Sequence, residues 1–233
     1  MEWPNSKTSN ADWRKDITNF DVKELIAKEM ANRLKDGDVV GVGSGSTSLL
    51  TLRALAERAR KNEWQFTAIT TSLEMESFCV ELRVRTSNLI QQRPDWSFDG
   101  ADEIDGELNM IKGRGGAMLR EKLVMASSPE RYVVVDDSKR VERLGQKFPV
   151  PIEVMPEALN LVREQLSEFF DIQSMELRSA HAKDGPVITE SGNVILDVKF
   201  AEVNPDLDLR LNSVPGAIGT GLFIGFNPTV VGA

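Results

Sequence analysis

Apolar positions along this chain fall into two spacings that take turns. Leu25, Ile26, Met30 and Leu34 recur at helical intervals behind Asp21, a capping residue, and predict a helix over 21–35. Asp36-Gly37-Asp38 ends it. Val39–Val42 is then a short continuous apolar run, the pattern of a strand covered on both faces. The exchange repeats. Gly43-Ser44-Gly45-Ser46-Thr47 leads into a helix to about residue 60, and 66–70 reads as a strand. Thr71 or Ser72 caps a helix to about residue 82, and 96–98 reads as a strand ending at Asp99. A glycine-rich turn at 113–116 precedes a helix over 117–126, and 131–135 is the next strand. Strands alternating with helices specify an α/β protein with a mostly parallel sheet and right-handed crossovers.

The rhythm changes past Leu144. Pro149, Pro151 and Pro156 cluster, 152–154 reads as a strand, and 156–170 reads as a helix with proline at its start. The runs 175–178, 187–189 and 194–200 are strand-like, parted by Lys183-Asp184-Gly185 and Ser191-Gly192-Asn193. This predicts a second, smaller α+β domain inserted before the C-terminal strands, with 222–224 and 230–231 returning to the first sheet. The expected division is 1–144 plus 214–233 for the larger domain and 145–213 for the smaller.

Composition narrows the class. The chain has 233 residues, 41% hydrophobic and 27% charged, ordinary values for a globular protein with a full core. Lys plus Arg is 28 against 36 Asp plus Glu, a net charge of −8. That balance argues against non-specific nucleic-acid binding, which needs a positive face. It leaves room for a small anionic substrate, because single lysines and local dipoles override net charge at close range. No run of about 18 apolar residues exists, so no membrane helix is expected. The stretch Met1–Asn19 is polar and lacks the apolar run of a secretory signal, and a cytoplasmic protein is expected. Cys79 is the only cysteine, which excludes an intrachain disulfide.

Three segments carry candidate chemistry. In 41–47, glycines let backbone N–H groups approach an anion, a helix N-terminus adds positive partial charge, and Ser44, Ser46 and Thr47 add hydroxyls. A phosphate monoester needs this set, although a tight strand-to-helix turn with a serine cap has the same pattern. The loop lacks the lysine of a Walker loop and the third glycine of a dinucleotide fingerprint. Phe98-Asp99-Gly100-Ala101-Asp102-Glu103-Ile104-Asp105 places four carboxylates in seven positions at a strand's C-terminal end, where open α/β sheets form their ligand crevice. Crowded carboxylates raise one another's pKa, which suits acid–base work. A divalent-metal site and a solvated acidic loop are the alternatives. In Lys112-Gly113-Arg114-Gly115-Gly116, a lysine beside flexible backbone can hold a negative oxygen. Glu121, early in the next helix, is a candidate general base where that helix face is desolvated, and otherwise a surface residue paired with a lysine. His181, the only histidine, lies in a polar stretch that supports neither a Ser-His-Asp catalyst nor a multi-histidine zinc site. Cys79 reads as a packed helix residue rather than a nucleophile.

Taken in order, the loop 41–47, Thr71-Ser72, the acidic turn 99–105, Ile111-Lys112-Gly113-Arg114-Gly115-Gly116-Ala117, Arg120-Glu121-Lys122 and Asp137-Ser138-Lys139 closely resemble ribose-5-phosphate isomerase of type A. The likeness continues through 148–154, 192–197, Val214-Pro215-Gly216 and Gly221-Leu222-Phe223, and so spans the chain from about Asp21. It implies a Rossmann-like catalytic domain and a cofactor-free, metal-free aldose–ketose isomerase. Such an enzyme interconverts ribose 5-phosphate and ribulose 5-phosphate in the non-oxidative pentose phosphate pathway, and the family forms homodimers and homotetramers. Matched position by position, Glu121 would be the general base, moving a proton between C2 and C1 through a cis-enediolate. Asp99 and Asp102 would hold sugar hydroxyls and assist ring opening, and Lys112 would steady the developing oxyanion. Ser44, Gly45, Ser46 and Thr47 would form the phosphate loop, with Ser44 in place of the commoner threonine. Lys139, and Lys23 by a match resting on one helix, would stand at the phosphate end. Gly100, Ala101, Gly113, Arg114 and Gly115 would line the sugar. Arg114 stands where many members have glycine, so its side chain is expected to point away from the sugar. The segment 82–95 lacks the family's usual Gly-Ile-Pro run.

Two other functions compete. A non-catalytic sugar-phosphate sensor would share the fold, but such regulators carry a DNA-binding helix-turn-helix, and the stretch 1–20 ahead of the first helix is too short for one. An amino-sugar phosphate deaminase would use a catalytic histidine, and His181 is poorly placed for that.

Overall fold

The computed structural model describes residues 17–181 and 184–232. Positions 1–16, the start of the N-terminal arm, and Lys183 of the predicted turn lie outside them. Asn19, in the left-handed conformation (φ 55°), starts α1 (Phe20–Ala31), so Asp21 sits in the first turn rather than at the cap. Ile26, Met30 and Leu34 are buried as their spacing requires, but Leu25 is 63% exposed because it falls off the stripe the other three share.

The alternation then proceeds with three short strands, at 85–87, 103–104 and 110–111, added to those the spacing predicts. It runs through β1 (Val39–Val42), α2 (Ser46–Asn62), β2 (Thr67–Thr70), α3 (Leu73–Leu82), β3 (Arg85–Ser87) and β4 (Trp96–Asp99). Two very short strands, β5 (Glu103–Ile104) and β6 (Met110–Ile111), precede α4 (Met118–Ser127) and β7 (Glu130–Val134). Next come β8 (Val150–Val154), α5 (Leu159–Phe169), β9 (Ile172–Leu177), β10 (Val194–Phe200), α6 (Leu207–Asn212) and β11 (Ala217–Thr220). The last are β12 (Leu222–Phe223) and β13 (Thr229–Val231).

Six of the strands form a parallel sheet in the order β13-β7-β4-β1-β2-β3. The chain winds outward from β1 to β3, then returns to β4 and winds out the other way. The direction therefore reverses between β1 and β4. Val40, Val42 and Phe98 of these two strands pack with Leu52 and Leu55 of α2 and with Ile26 and Met30 of α1. A second sheet, antiparallel in the order β11-β8-β10-β9, carries the α+β unit. Its Val150, Ile152, Leu196 and Val198 pack with Val162 and Leu166 of α5 and Leu211 of α6. A third cluster joins the two bodies, setting Ile195 of β10 with Met118 and Met125 of α4, Val133 of β7 and Phe223 of β12.

Several expectations are corrected here. Ala217–Thr220 pairs with β8 in the antiparallel sheet, and Leu222–Phe223 pairs with β6, so only β13 of the C-terminal stretch rejoins the parallel sheet. The chain turns just before β11, with Ala217 N–H donating to the Val214 carbonyl (3.0 Å), and at Gly216 (φ 93°) a Cβ would lie 2.2 Å from that of Ala158. Residues 187–189 form no ladder strand; Val187 N–H donates to the Arg178 carbonyl (2.8 Å) across an irregular loop. The helix expected over 156–170 opens as a 3-10 turn over Pro156–Ala158 before α5 begins.

One carboxylate of the acidic turn is structural. Glu103 is fully buried and accepts hydrogen bonds from the N–H groups of Gly145 (2.6 Å), Lys147 and Phe148 (2.7 Å), tying the turn to the loop that leads into β8. Glu103→Ala leaves those donors without an acceptor. It should lower stability by about 3 kcal/mol or more, which for a chain of this size is a fall in Tm on the order of 10 °C. Thermal denaturation followed by circular dichroism checks this, and an unchanged Tm would refute it.

Candidate active site

A parallel sheet opens a crevice beyond the carboxyl ends of its strands where the winding direction reverses. Here that point lies between β1 and β4. Around a cavity of about 520 Å³ stand Ser44, Gly45, Ser46 and Thr47 after β1, Asp99, Gly100, Ala101 and Asp102 at and after the end of β4, and Lys112, Gly113, Arg114 and Gly115 after β6. Glu121 of α4 and Lys139 complete the set. Every residue that the resemblance assigns to catalysis or substrate binding borders this one cavity.

The loop after β1 is shaped by close approach. Gly43 N–H donates to the Phe98 carbonyl (2.9 Å), and a Cβ on Gly43 would fall 2.0 Å from Asp99 Cγ. Only glycine lets the end of β1 lie against Asp99. Gly45 follows with φ 86°, and α2 begins at Ser46, so its first N–H groups have no intrahelical acceptor. Thr71 and Ser44 share a hydroxyl hydrogen bond of 2.7 Å, and Lys23 reaches from α1 to donate to Ser46 Oγ at 3.1 Å. Lys23 is itself buried, which together with nearby Lys139 lowers its pKa against the pull of Asp136.

Deeper in the crevice one ammonium faces two carboxylates. Lys112 Nζ lies 2.9 Å from Asp99 Oδ2 and 3.2 Å from Glu121 Oε2, and it donates to the Gly100 carbonyl at 2.5 Å. All three side chains are at most 6% exposed. Asp99 Oδ1 accepts from Gly100 N–H (2.7 Å), Ser44 N–H (3.2 Å) and Ser48 Oγ (3.4 Å). Asp102 Oδ2 accepts from Arg114 N–H at 3.0 Å. Glu121 comes inward because it shares the buried face of α4 with Met118, Val124 and Met125, three or four positions away on either side. It is lysine-paired, as one sequence alternative had it, but inside the protein.

Burial and the like charge of Asp99 push the Glu121 carboxyl up to about 7, with Lys112 opposing. Burial raises Asp99 as well, against Lys112 and its hydrogen bonds. Burial alone would lower Lys112, but the facing carboxylates outweigh it and hold the ammonium above the ordinary lysine range. One permanent cation between two carboxylates leaves a single excess negative charge in a dry place, so the group gains or loses one proton near neutrality.

Other lining residues carried weaker signals. Asp136 follows β7, accepts from Ser138 N–H (2.9 Å), the Ser138 hydroxyl and Asn19 Nδ2 (3.3 Å), and borders the cavity with Thr18, Val134 and Val135. Burial would raise its pKa, but those bonds and Lys139 hold it below the usual carboxylate range. The rule that placed Asp99 at a strand's carboxyl end applies equally to Asp136. The remaining acidic-turn carboxylates do not converge on the crevice. Glu103 faces backbone, and Asp105 accepts from Glu107 and Asn109 N–H groups (2.9 Å each). Among the described residues no three His, Cys, Asp or Glu side chains gather as a metal-ligand group. Arg114's guanidinium lies 5.8 Å from the Phe148 ring. Cys79 is buried, and burial with Glu76 pushes its thiol up to about 12, as a packed residue requires.

A parallel α/β fold whose reversal point holds a neutral-range carboxyl beside a fixed ammonium, under a loop shaped for an anion, defines a proton-transferring enzyme of small anionic substrates. Residues 67–233 match the family model of ribose 5-phosphate isomerase A (phosphoriboisomerase A). The ribose-5-phosphate isomerase A of Methanothermobacter thermautotrophicus is 37% identical over 214 residues, covering 91% of this chain and 93% of that protein. The structure of ribose 5-phosphate isomerase A from Methanocaldococcus jannaschii superposes with a TM-score of 0.85 at 39% identity, over 88% of this chain and 92% of that one. A D-ribose-5-phosphate isomerase in complex with phospho-erythronic acid superposes with a TM-score of 0.86 at 38% identity, over 90% and 93%. The chain belongs to the ribose 5-phosphate isomerase A family.

Carbon-13 NMR of glutamate-labelled protein, with the Glu121 signal assigned by its loss in Glu121→Gln, should show that carboxyl titrating near 7. Lys112→Met removes the charge that favours the carboxylate and should move the titration to higher pH. A Glu121 signal titrating near the ordinary value of about 4.3 would contradict the buried triad.

Proposed function

We propose that this chain is an aldose–ketose isomerase that interconverts D-ribose 5-phosphate and D-ribulose 5-phosphate through a cis-enediolate, a step of the non-oxidative pentose phosphate pathway. The observation that carries the reading is Glu121, a buried carboxyl held near neutrality 3.2 Å from a permanent ammonium, bordering the same cavity as the glycine loop.

The phosphate sits against the N–H groups and hydroxyls of Ser44 to Thr47 at the start of α2, with Lys139 and Lys23 offsetting its charge. The open-chain sugar then extends toward the triad. The Glu121 carboxylate takes the proton from C2, and the electron pair moves toward the C1 carbonyl, whose oxygen becomes negative. Lys112 faces that oxygen and steadies the charge, an interaction made strong by the dry surroundings. With the hydroxyl proton passed from O2 to O1, Glu121 returns its proton to C1 and the ketose forms. Every step conserves the substrate's atoms and electrons, so the chemistry calls for no cofactor. Asp102 keeps one oxygen without a hydrogen bond among the described residues, and that oxygen holds a sugar hydroxyl and assists ring opening. Asp99, engaged by Ser44, Ser48, Gly100 and Lys112, acts chiefly through Lys112 and through its effect on the Glu121 pKa. Phospho-erythronic acid, held by one relative, carries both a carboxylate and a phosphate. That charge pattern suits a crevice with Lys112 at one end and the glycine loop at the other.

Among the described residues no helix is long and apolar enough to cross a membrane. This reading gives the enzyme a cytoplasmic setting, a sugar phosphate as its ligand and a homodimeric or homotetrameric form.

Glu121→Gln should lower kcat about 10³-fold, within the range typical for loss of a general base, and leave affinity for the sugar phosphate intact. An unimpaired kcat would remove Glu121 from the base role. In the wild type only the carboxylate form accepts a proton, so kcat/KM should rise with pH through about 7, and added chelator should leave the rate unchanged. Calorimetry showing heat of binding for ribose 5-phosphate with no conversion would make the protein a sensor instead.

A further inference from the structure

We infer that Arg178, backed by Asp197, is a positioning residue for this reaction, one that orients from the smaller unit the turn that follows Lys112; the inference rests on the isomerase reading above.

Arg178 follows β9, outside the crevice and beyond the motifs that carry the chemistry. Its Nε donates to Asp197 Oδ2 at 2.7 Å and its Nη2 to Asp197 Oδ1 at 2.5 Å, a two-point fork onto β10 that fixes the plane of the guanidinium. The remaining nitrogen points at backbone. Nη1 donates to the carbonyls of Gly113 (2.7 Å) and Arg114 (3.1 Å). Those are two consecutive peptide units of the turn between Lys112 and α4.

The consequence follows from peptide planarity. In a trans unit the N–H points opposite to the C=O. The Gly113–Arg114 unit is held at both ends, its carbonyl by Arg178 and its N–H by Asp102 Oδ2 at 3.0 Å. Fixing the Arg114 carbonyl toward Arg178 likewise turns the Gly115 N–H away from Arg178, and Gly115 borders the active cavity. The turn has little conformational preference of its own. Gly113 (φ 102°) and Gly116 (φ 84°) both occupy backbone regions open chiefly to glycine, and one internal hydrogen bond, Gly116 N–H to the Gly113 carbonyl (3.0 Å), closes it. Without the guanidinium these peptides are free to rotate. Asp102 then loses its N–H partner, and the stretch joining Lys112 to the helix of Glu121 loses its register. Arg178 touches no reacting atom in this scheme and acts only through the turn. A second cavity of about 300 Å³, bordered by Arg178, Asp197, Asp102 and Arg114, lies behind the turn and gives a small cation access to the same place.

The test is Arg178→Ala in the full-length enzyme, read by kcat, KM, the inhibition constant of inorganic phosphate and Tm, with and without low concentrations of guanidinium ion. A displaced turn should cost on the order of 10²-fold in kcat. The phosphate inhibition constant should stay within about twofold, because the glycine loop is untouched. Guanidinium should restore kcat by about tenfold and leave the wild type unchanged, and Arg178→Lys, which cannot fork, should stay impaired. A kcat within about threefold of wild type overturns the inference. So does a loss in which kcat and phosphate affinity fall together and guanidinium restores nothing, since that is the pattern of a merely structural bridge. If Arg178→Ala does not fold, Asp197→Asn decides: lower kcat with unchanged phosphate inhibition supports the role, and unchanged kcat overturns it. A wild type with no isomerase activity sinks the isomerase reading and this inference with it, whereas active wild type beside active variants sinks this inference alone.

Discussion

The Lys112 ammonium, enclosed between Asp99 and Glu121, is the constraint on which the rest of the structure depends. Burying three ionised groups is costly unless their geometry satisfies them. The protein meets that condition by bringing the ends of three segments to one point. β4 delivers Asp99, β6 delivers Lys112, and the first turn of α4 delivers Glu121. Lys112 is itself tethered, its N–H donating to the Gly221 carbonyl at 2.8 Å. At Gly221 a Cβ would fall 2.2 Å from the Lys112 carbonyl oxygen. Glycines at 43 and 221 thus stand where backbone must crowd the charged cluster. The excess negative charge left in that cluster holds the Glu121 carboxyl near neutrality.

The smaller unit participates in this arrangement instead of merely hanging from it. On either side of Glu121, Arg120 donates to the Glu190 carbonyl (3.3 Å) and Lys122 pairs with Asp208 (3.1 Å), both partners lying in the later part of the chain. Phe223 lies below the two lysines, its ring 5.4 Å from Lys112 Nζ and 5.2 Å from Lys122 Nζ. The same ring belongs to the apolar cluster that joins β10 to α4. Helix α4 is therefore fixed by packing beneath, by a hydrogen bond on one side and by an ion pair on the other, and the Glu121 side chain between them is held in place. Interior charge and the packing between the two main sheets serve one end.

Legibility in the sequence follows the range of the interaction that decides each feature. Val39–Val42 is readable to the residue, because a continuous apolar run in a doubly covered strand is a local signal. The glycine loop, the acidic turn and the Lys-Gly turn are readable as candidates, because each carries its chemistry in adjacent residues. The very short strands β5, β6 and β12 have no periodicity to detect, and they exist only by pairing with one another. β11 joins the antiparallel sheet without a local signal, because its partner, β8, lies far back in the chain beyond α5, β9, β10 and α6. Glu103 looks like its neighbours Asp99 and Asp102, yet it serves three N–H groups in a distant loop, at Gly145, Lys147 and Phe148.

By itself the sequence determined the fold class, the alternation of the main helices and strands, and the segments able to carry chemistry, since these follow from spacing, composition and short motifs. Tertiary structure alone decided that Glu121 is a buried carboxyl rather than a surface partner of lysine, that Asp99 and Asp102 diverge in what they hold, and that an arginine from the smaller unit grips the glycine turn. The physical reason is that a carboxyl's proton affinity and a peptide's orientation depend on desolvation and on charges brought near by folding, and neither is encoded in the residues next to it.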